Sequence, residues 1–311
     1  MKIAIVGAGI AGLSCAEALQ AGGHGVSLFD KGRGAGGRMA TRRVETALGE
    51  VAFDHGAQYF TTRDPDFAVK VKQWEASGIV APWPGAGDDA WVGTPGMSAV
   101  VKAIAEPLAV RWNSRVDALR RVDGAWFVDP VAPDPFDAVI VAIPAEQAAP
   151  LLVAHDPPMA AMAQACPSAP CWTAMVAFAD RIPIARDIVR DSGIIGWAAR
   201  NTAKPGRRGT EAWVIQATAA WSGDHLEDDE GAVVDALLAA LGAQATQPLP
   251  EPILRIGHRW RYARVSPTHH GVLWNERTRI GAVGDWLIAP RIESAWLSGR
   301  ILADRILRTN P

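Results

Sequence analysis

The sequence predicts an α/β chain, α+β overall. A parallel-sheet domain is assembled from both ends of the polypeptide, and a mixed or antiparallel sheet is inserted between them. Three observations predict this. A short apolar run at residues 3–6 is followed by a glycine-rich turn and a segment of helical period. A second buried run near the C-terminus, "RIGAVGDWL", leads into a long amphipathic stretch. Between them, several stretches alternate apolar and polar residues with the period of two that antiparallel strands require.

The N-terminal unit, "KIAIVGAGIAGLSCAEALQAGGHGVSLFD", reads as strand, turn, helix, strand. Residues 3–6 have the apolar character of a strand buried in a parallel sheet. The turn is G-x-G-x-x-G, with Gly7, Gly9 and Gly12. A helix is expected from about residue 11 to 21, with Leu13, Ala16 and Leu19 or Gln20 at helical spacing. Gly22 and Gly23 end it, residues 26–29 form the second strand, and Asp30 closes that strand. The three glycines act differently. Gly7 permits the tight turn, Gly9 lets backbone approach a pyrophosphate, and Gly12 lets the helix lie close to the sheet. The helix start, at Ile10 and Ala11, offers N–H groups and the positive end of a dipole to phosphates. Asp30 stands where an acid accepts hydrogen bonds from an adenosine ribose, which argues against a 2′-phosphate there. The unit is a Rossmann-like dinucleotide fingerprint, and that reading displaces a signal peptide for the apolar residues 3–16.

The next segment, "DKGRGAGGRM", decides which dinucleotide. It holds Gly32, Gly34, Gly36 and Gly37, with Lys31, Arg33 and Arg38 among them. A second backbone segment with guanidinium donors is pressed against an anion. It is read as wrapping the far side of an FAD pyrophosphate, with Gly36 and Gly37 in close approach and Arg38 and Met39 in contact.

Bulk composition agrees with an ordinary soluble globule and narrows the partners. At 311 residues the chain makes one large domain or two intertwined ones. A net charge of −2 gives no footprint for nucleic acid or a membrane surface. Three cysteines, Cys15, Cys166 and Cys171, are too few and too oddly spaced for a disulfide framework or a zinc site, so a reducing cytoplasm and no metal are expected. No apolar run reaches the ~20 residues of a membrane span. Thirteen tryptophans stand against two tyrosines; most suit core packing, and a few can wall a flat pocket for a planar ligand. The sequence carries no signal of oligomeric state.

The fingerprint and "GGRM", taken with "FDHGAQYFTTRDPDF", "WVGTPGMSA", "HRWRYAR" and "GDWL…ESAWLSG", resemble the flavin amine oxidase superfamily, and within it the bacterial renalase-like FAD-dependent oxidoreductases. The resemblance spans nearly the whole chain. It implies non-covalent FAD and oxidation of aberrant 2- and 6-dihydro isomers of NAD(P)H to NAD(P)+. Hydride passes to flavin N5, and O2 then accepts the electrons to give hydrogen peroxide. It also implies that Gly56, Ala57 and Gln58 approach the flavin, that Val116 offers backbone groups to the adenine, and that the strand "DAVIVAIP" ends near the cofactor. At the other end, the acid of Gly284-Asp285 meets the ribityl chain or a phosphate. The helix after it, with Ile292, Trp296, Gly299, Leu302 and Ile306 on one face, points its first turn (Glu293 and Ser294) at the pyrimidine end of the ring, with Trp286 nearby.

Domain bounds follow: residues 1–75, 92–150 and 275–311 for FAD, and 76–91 and 151–274 for substrate. Within the latter, "CWTAMVAFA", "GIIGWAARN", "EAWVIQATAAWS" and "PILRIGHRWRYARV" read as strands, residues 228–243 as a helix with an acidic start, and residues 204–209, "KPGRRG", as a basic exposed turn. In a strand His258, Trp260 and Tyr262 share one face and Arg259 and Arg261 the other, solvated or paired with acids. These three rings, with Gln58 and Tyr59, are the catalytic-chamber candidates; the Gln58 amide suits a substrate carboxamide. Asn201 with Arg200, and Trp197, Trp213 and Trp221, are further candidates. The Arg and Lys clusters at 204–208 and 259–264 suit either a dinucleotide pyrophosphate or solvent. Three other readings stay open: an amine oxidase or desaturase, a nicotinamide-dependent dehydrogenase without flavin, and a non-catalytic FAD-binding protein.

Overall fold

The computed structural model describes residues 1–309 of the chain, so the last two residues of the predicted FAD domain lie outside the described residues. A six-stranded sheet runs in the order Leu273–Asn275, Ile280–Ala282, Ala138–Val141, Lys2–Val6, Gly25–Phe29, Val110–Arg111. All its neighbours are parallel except the edge pair at Leu273–Asn275. The strands expected at residues 3–6 and 26–29 thus pair in register, Ile5 opposite Leu28, and strands from both ends of the chain meet in one sheet. Apolar residues cover both faces, as parallel strands demand: Ile3, Ile5 and Ile140 pack on one side, Ala4, Val139 and Val141 on the other.

On the first face lies the helix Ile10–Ala21, clamped by the C-terminal helix Ile292–Thr309. The clamp is tight because Gly299 has no side chain: a Cβ there would stand 2.2 Å from the Ala11 carbonyl oxygen. Trp296, Gly299, Leu302 and Ile306 are buried, as their spacing predicts, while Ile292 is only half-buried.

The inserted sheet has five strands in the order Ile188–Ser192, Ile195–Arg200, Glu211–Ala217, Ser168–Phe178, Leu254–Val265, every pair antiparallel. The helix Glu230–Gly242, capped by the Asp229 carboxylate as its acidic start predicts, covers one face through Val233, Val234, Leu237 and Leu241. Parts of two stretches placed with the inserted unit from sequence side instead with the parallel sheet. Helix Pro157–Gln164 packs against it beside Ala145–Leu152, and Val80, Trp83 and Trp91 join the core of the first helix. The inserted sheet begins at Ser168 rather than at residue 151.

Candidate active site

A cavity of about 1800 Å³ runs from the glycine turn, between the two sheets, to the strand Leu254–Val265. It exceeds the roughly 300–1,000 Å³ of an ordinary small-molecule pocket, which leaves room for a dinucleotide and a second ligand. Its walls come from distant parts of the chain: Gly7, Gly9, Ile10 and Ala11, Asp30 and Lys31, Gly36 to Met39, Gly56 to Tyr59, Val116, Gly284 to Trp286, and the start of the C-terminal helix at Glu293. The cofactor residues chosen from sequence therefore line one space, save Gly12, which serves packing.

The glycine turn fits a dinucleotide on steric grounds. Gly7 has φ +106°, a conformation side chains rarely adopt, and a Cβ there would stand 2.5 Å from the Ala142 carbonyl oxygen. A Cβ on Gly12 would strike the Gly7 carbonyl oxygen at 2.1 Å. Gly9 is different. Nothing lies within 4 Å of its would-be Cβ, so protein packing does not explain the glycine, and close approach by a ligand does. Gly9 also starts the first helix without a side-chain cap, which leaves that helix end open toward the cavity.

Four residues expected at the cofactor have partners inside the protein. Asp30 accepts from the N–H groups of Ala8 and Gly32, both at 2.7 Å, and so shapes the turn before it meets any ribose. Arg38 and Asp285, read from sequence as separate contacts to the cofactor, form a bidentate pair with each other at 2.7 and 2.6 Å. That pair ties the two ends of the chain together on the cavity wall. Glu293 accepts from the N–H groups of Arg63 (2.6 Å) and Asp64 (2.7 Å). Trp286 is buried beside Gly284, and its Nε1–H has no partner among the described residues.

Two sequence readings are overturned. The segment at 204–209 is not an exposed basic turn as a whole: Lys204 and Arg207 are buried, and both pair with Asp54. Gln58 is not free to hold a substrate carboxamide. Its Nε2 donates to the Asp54 and Gly56 carbonyls (2.5 and 3.2 Å), and its Oε1 accepts from Lys204 Nζ at 3.0 Å. A buried amide so engaged has little left to offer a ligand.

The aromatic expectations fare better. His258, Trp260 and Tyr262 line the cavity with Tyr59 and Trp197. Trp260 stacks on His55 at 5.2 Å, donates its Nε1–H to the His55 carbonyl at 2.9 Å, and meets His258 edge-on at 4.4 Å. Burial, then the neighbouring His258, lowers the His55 pKa to about 4. Burial, then the Arg42 guanidinium, lowers that of His258 too. Both imidazoles are thus neutral near pH 7. Tyr59 and Trp197 make a second aromatic wall, their rings 5.2 Å apart. Arg259 and Arg261 pair with Glu227. Arg200, Asn201, Trp213 and Trp221 lie away from the cavity; Arg200 is buried against Glu211 and Asp187.

His55 and Arg42 were missed by sequence reasoning, and Lys204 was read as part of an exposed basic cluster. The two aromatic neighbours of His55 come from another strand 200 residues on, and no local pattern marks that contact. Arg42 sits on an ordinary alternating hairpin, Thr41–Thr46 with Gly49–Asp54.

Comparison with known proteins places this geometry. Residues 5–71 match the NAD(P)-binding Rossmann-like domain, and residues 84–307 match the flavin containing amine oxidoreductases. The fold is similar to that of cyclohexylamine oxidase from Brevibacterium oxydans IH-35A, at 12% identity and TM-score 0.70, with 99% of each chain covered. It is similar to putrescine oxidase, solved with putrescine bound, at 15% identity and TM-score 0.70 over 99% of each chain. A reduced UDP-galactopyranose mutase matches at 12% identity and TM-score 0.72, over 99% of this chain and 94% of the other. With a turn, a helix end and a cavity that fit a dinucleotide, and a family match over residues 84–307, the chain belongs to the flavin containing amine oxidoreductase family and is an FAD-dependent oxidoreductase.

Proposed function

We propose that this enzyme oxidises 2- and 6-dihydro isomers of NAD(P)H to NAD(P)+, the activity that the resemblance to renalase-like enzymes implies. In the proposal O2 takes the two electrons from reduced FAD and becomes hydrogen peroxide, in a cytoplasmic setting. FAD is held non-covalently between the two chain ends, and the inserted sheet roofs the substrate chamber. Cys171, a cysteine on the cavity wall, has its thiol pushed up to about 11 by burial, so it stays protonated and unreactive.

The observation that carries the substrate class is the state of the charges around the cavity. Its carboxylates are engaged: Asp285 with Arg38, Glu293 and Glu230 with backbone N–H groups, Glu146 with the Ser168 N–H, Asp228 with His225 and Asp117 with Arg115. Asp191, exposed at the rim, and the second oxygen of Glu146, buried without a hydrogen-bond partner, are the exceptions among the described residues. Four guanidiniums on the same wall, Arg42, Arg63, Arg264 and Arg291, pair with no carboxylate among the described residues. A cationic amine would want a free carboxylate; the pyrophosphate of a dinucleotide wants free guanidiniums.

Bound FAD supplies the hydride acceptor at N5. The chain's residues have less chemistry to do. A dihydropyridine that loses hydride becomes an aromatic pyridinium without losing a proton, so no base is required. Neutral His55 and His258 fit that demand. The rings of Trp260, Tyr262, Tyr59 and Trp197 exclude water and hold a planar ring in orientation.

The family alternative is oxidation of a small amine, with Asp191 or the unpartnered oxygen of Glu146 as its anchor. Anaerobic stopped-flow reduction separates the two. The 2- and 6-dihydro isomers of NAD should bleach the flavin band, and cyclohexylamine and putrescine should not. Bleaching by an amine and not by the dihydronicotinamides would overturn the proposal.

A further inference from the structure

Behind the turn at residues 55–58 lies a cluster of charge sealed from solvent. The side chains of Asp54, Lys204 and Arg207 are 0%, 0% and 2% exposed. Asp54 Oδ2 accepts from Arg207 Nη2 at 2.5 Å and from Lys204 Nζ at 3.3 Å. Its Oδ1 accepts from Thr41 Oγ1 at 2.8 Å and from the Met97 N–H at 2.9 Å. Arg207 Nη1 is held by the Gly93 and Pro205 carbonyls. Asp54 and Arg207 alone would make a neutral pair, with the Arg207 Nε–H left without a partner among the described residues. Lys204 adds a second cation to one carboxylate, and burying an unbalanced charge is costly.

The surplus cation has one other polar contact through which it can act. Lys204 Nζ donates to Gln58 Oε1 at 3.0 Å, and Gln58 lines the cavity. The turn that Gln58 closes is held from several sides: Ala57 N–H to the Arg38 carbonyl (2.8 Å), Gln216 to the Gly56 carbonyl (2.7 Å), and Trp260 to the His55 carbonyl (2.9 Å). Lys204 is the charged member of this set.

We propose that Lys204 is a positioning residue for the flavin site: it fixes Gln58 and the 56–58 turn, and it sets an uncompensated positive charge behind the cavity wall that favours reduction of FAD. The inference rests on the flavin and not on which substrate delivers the electrons. Hydride transfer brings two electrons and one proton, so FAD gains one negative charge until a second proton arrives from solvent. A buried cation nearby stabilises that charge.

The cluster also dictates a pH signature. Burial lowers the Lys204 pKa to about 8, against the pull of Asp54 and with the push of Arg207. Asp54, lowered to about 2 by its two cations and hydrogen bonds despite burial, stays ionised above pH 6. A guanidinium is not deprotonated in a protein. His55, next in sequence, titrates near 4. Between pH 6 and 10, therefore, Lys204 is the group in this cluster that changes charge.

The test is the midpoint potential of bound FAD, measured against reference dyes from pH 6 to 10, in wild type, Lys204→Met and Gln58→Met. In wild type the potential should fall more steeply with pH above about 8, where the ammonium is lost. Lys204→Met should keep the Asp54–Arg207 pair and the yellow cofactor, show a lower potential at pH 7, and lose the break near pH 8. Gln58→Met should retain the break, because the charge remains, yet bind FAD severalfold more weakly, because the turn is loosened. A Lys204→Met protein with wild-type potential and pH profile would reduce Lys204 to a structural role. Should that variant fail to fold, a wild-type profile without steepening near pH 8 overturns the charge, and unchanged FAD affinity in Gln58→Met overturns the positioning.

Discussion

At the glycine end of the cavity the wall is largely backbone: Gly7, Gly9, Gly36 and Gly37, and the open start of the first helix. At the inserted-sheet end the wall is side chain: His258, Trp260, Tyr262, Trp197 and a scatter of arginines. The backbone end presents donors whose positions the fold fixes, so it suits one ligand of constant shape. At the other end the histidines and tryptophans hold one another and the paired arginines hold acids, which leaves flat surface and residual positive charge for the proposed substrate to meet. On the proposed function, a cofactor end and a substrate end built from the same two sheets recognise by different means.

Gly9→Val tests this contrast most severely. The Gly9 backbone has φ −73°, which any residue adopts, and its would-be Cβ meets no protein atom within 4 Å. The apo protein should therefore keep its thermal midpoint. FAD affinity should fall by more than about 100-fold, on the order of 3 kcal/mol, because the side chain enters the space kept for the pyrophosphate. Gly12→Val, which strikes the Gly7 carbonyl, should instead fail to fold. Circular dichroism with flavin fluorescence on both variants measures the contrast. A Gly9→Val protein that stays yellow would show that the glycine turn does not hold the cofactor.

The same division explains what the sequence made legible. Backbone recognition leaves local signatures, so residues 3–30, the Arg38 loop and the Gly284-Asp285 turn could be read in line, and the structure brings them to one cavity. Strand patterns in the inserted sheet were legible for the same reason, down to the alternation that pairs Arg259 and Arg261 with Glu227. Side-chain pairing across the molecule leaves no such mark. Lys204 and Arg207 sit in a Pro-Gly turn that reads as surface, and the carboxylate they share, Asp54, lies some 150 residues away in sequence. Arg38 and Asp285 were each read as cofactor contacts; their pairing with one another is a tertiary fact.

The side-chain end is also where acid acts. His55 is neutral in the folded protein, its pKa held near 4 by burial and by His258. The unfolded chain takes up that proton near the ordinary 6.5, so between about pH 6.5 and 4 it binds more protons than the fold, and stability falls as pH falls. The shift corresponds to at most about 3 kcal/mol. His55→Phe keeps the ring beside Trp260 and removes the titration, so its stability should be flatter over that window than the wild type's in urea melts. Equal slopes would mean that the imidazole is better solvated than its burial implies.

A more modest change bears on the substrate end most directly. Arg42 and Arg264 line the cavity without acidic partners, while Arg259 and Arg261 are held by Glu227. If the free guanidiniums meet a dinucleotide's phosphates, each contact is solvent-accessible and worth about 1 kcal/mol. Arg42→Gln and Arg264→Gln should then raise KM for a dihydronicotinamide dinucleotide by roughly fivefold each. The maximal rate should hold, since the contact is the same in ground and transition states. An uncharged N-alkyl dihydronicotinamide should be oxidised equally by wild type and variants, and the salt dependence of wild-type KM should be weaker in both variants. The uncharged substrate separates phosphate recognition from damage to the chamber: a variant that loses rate on both substrates has lost its roof, and one that loses neither has lost only a solvated side chain.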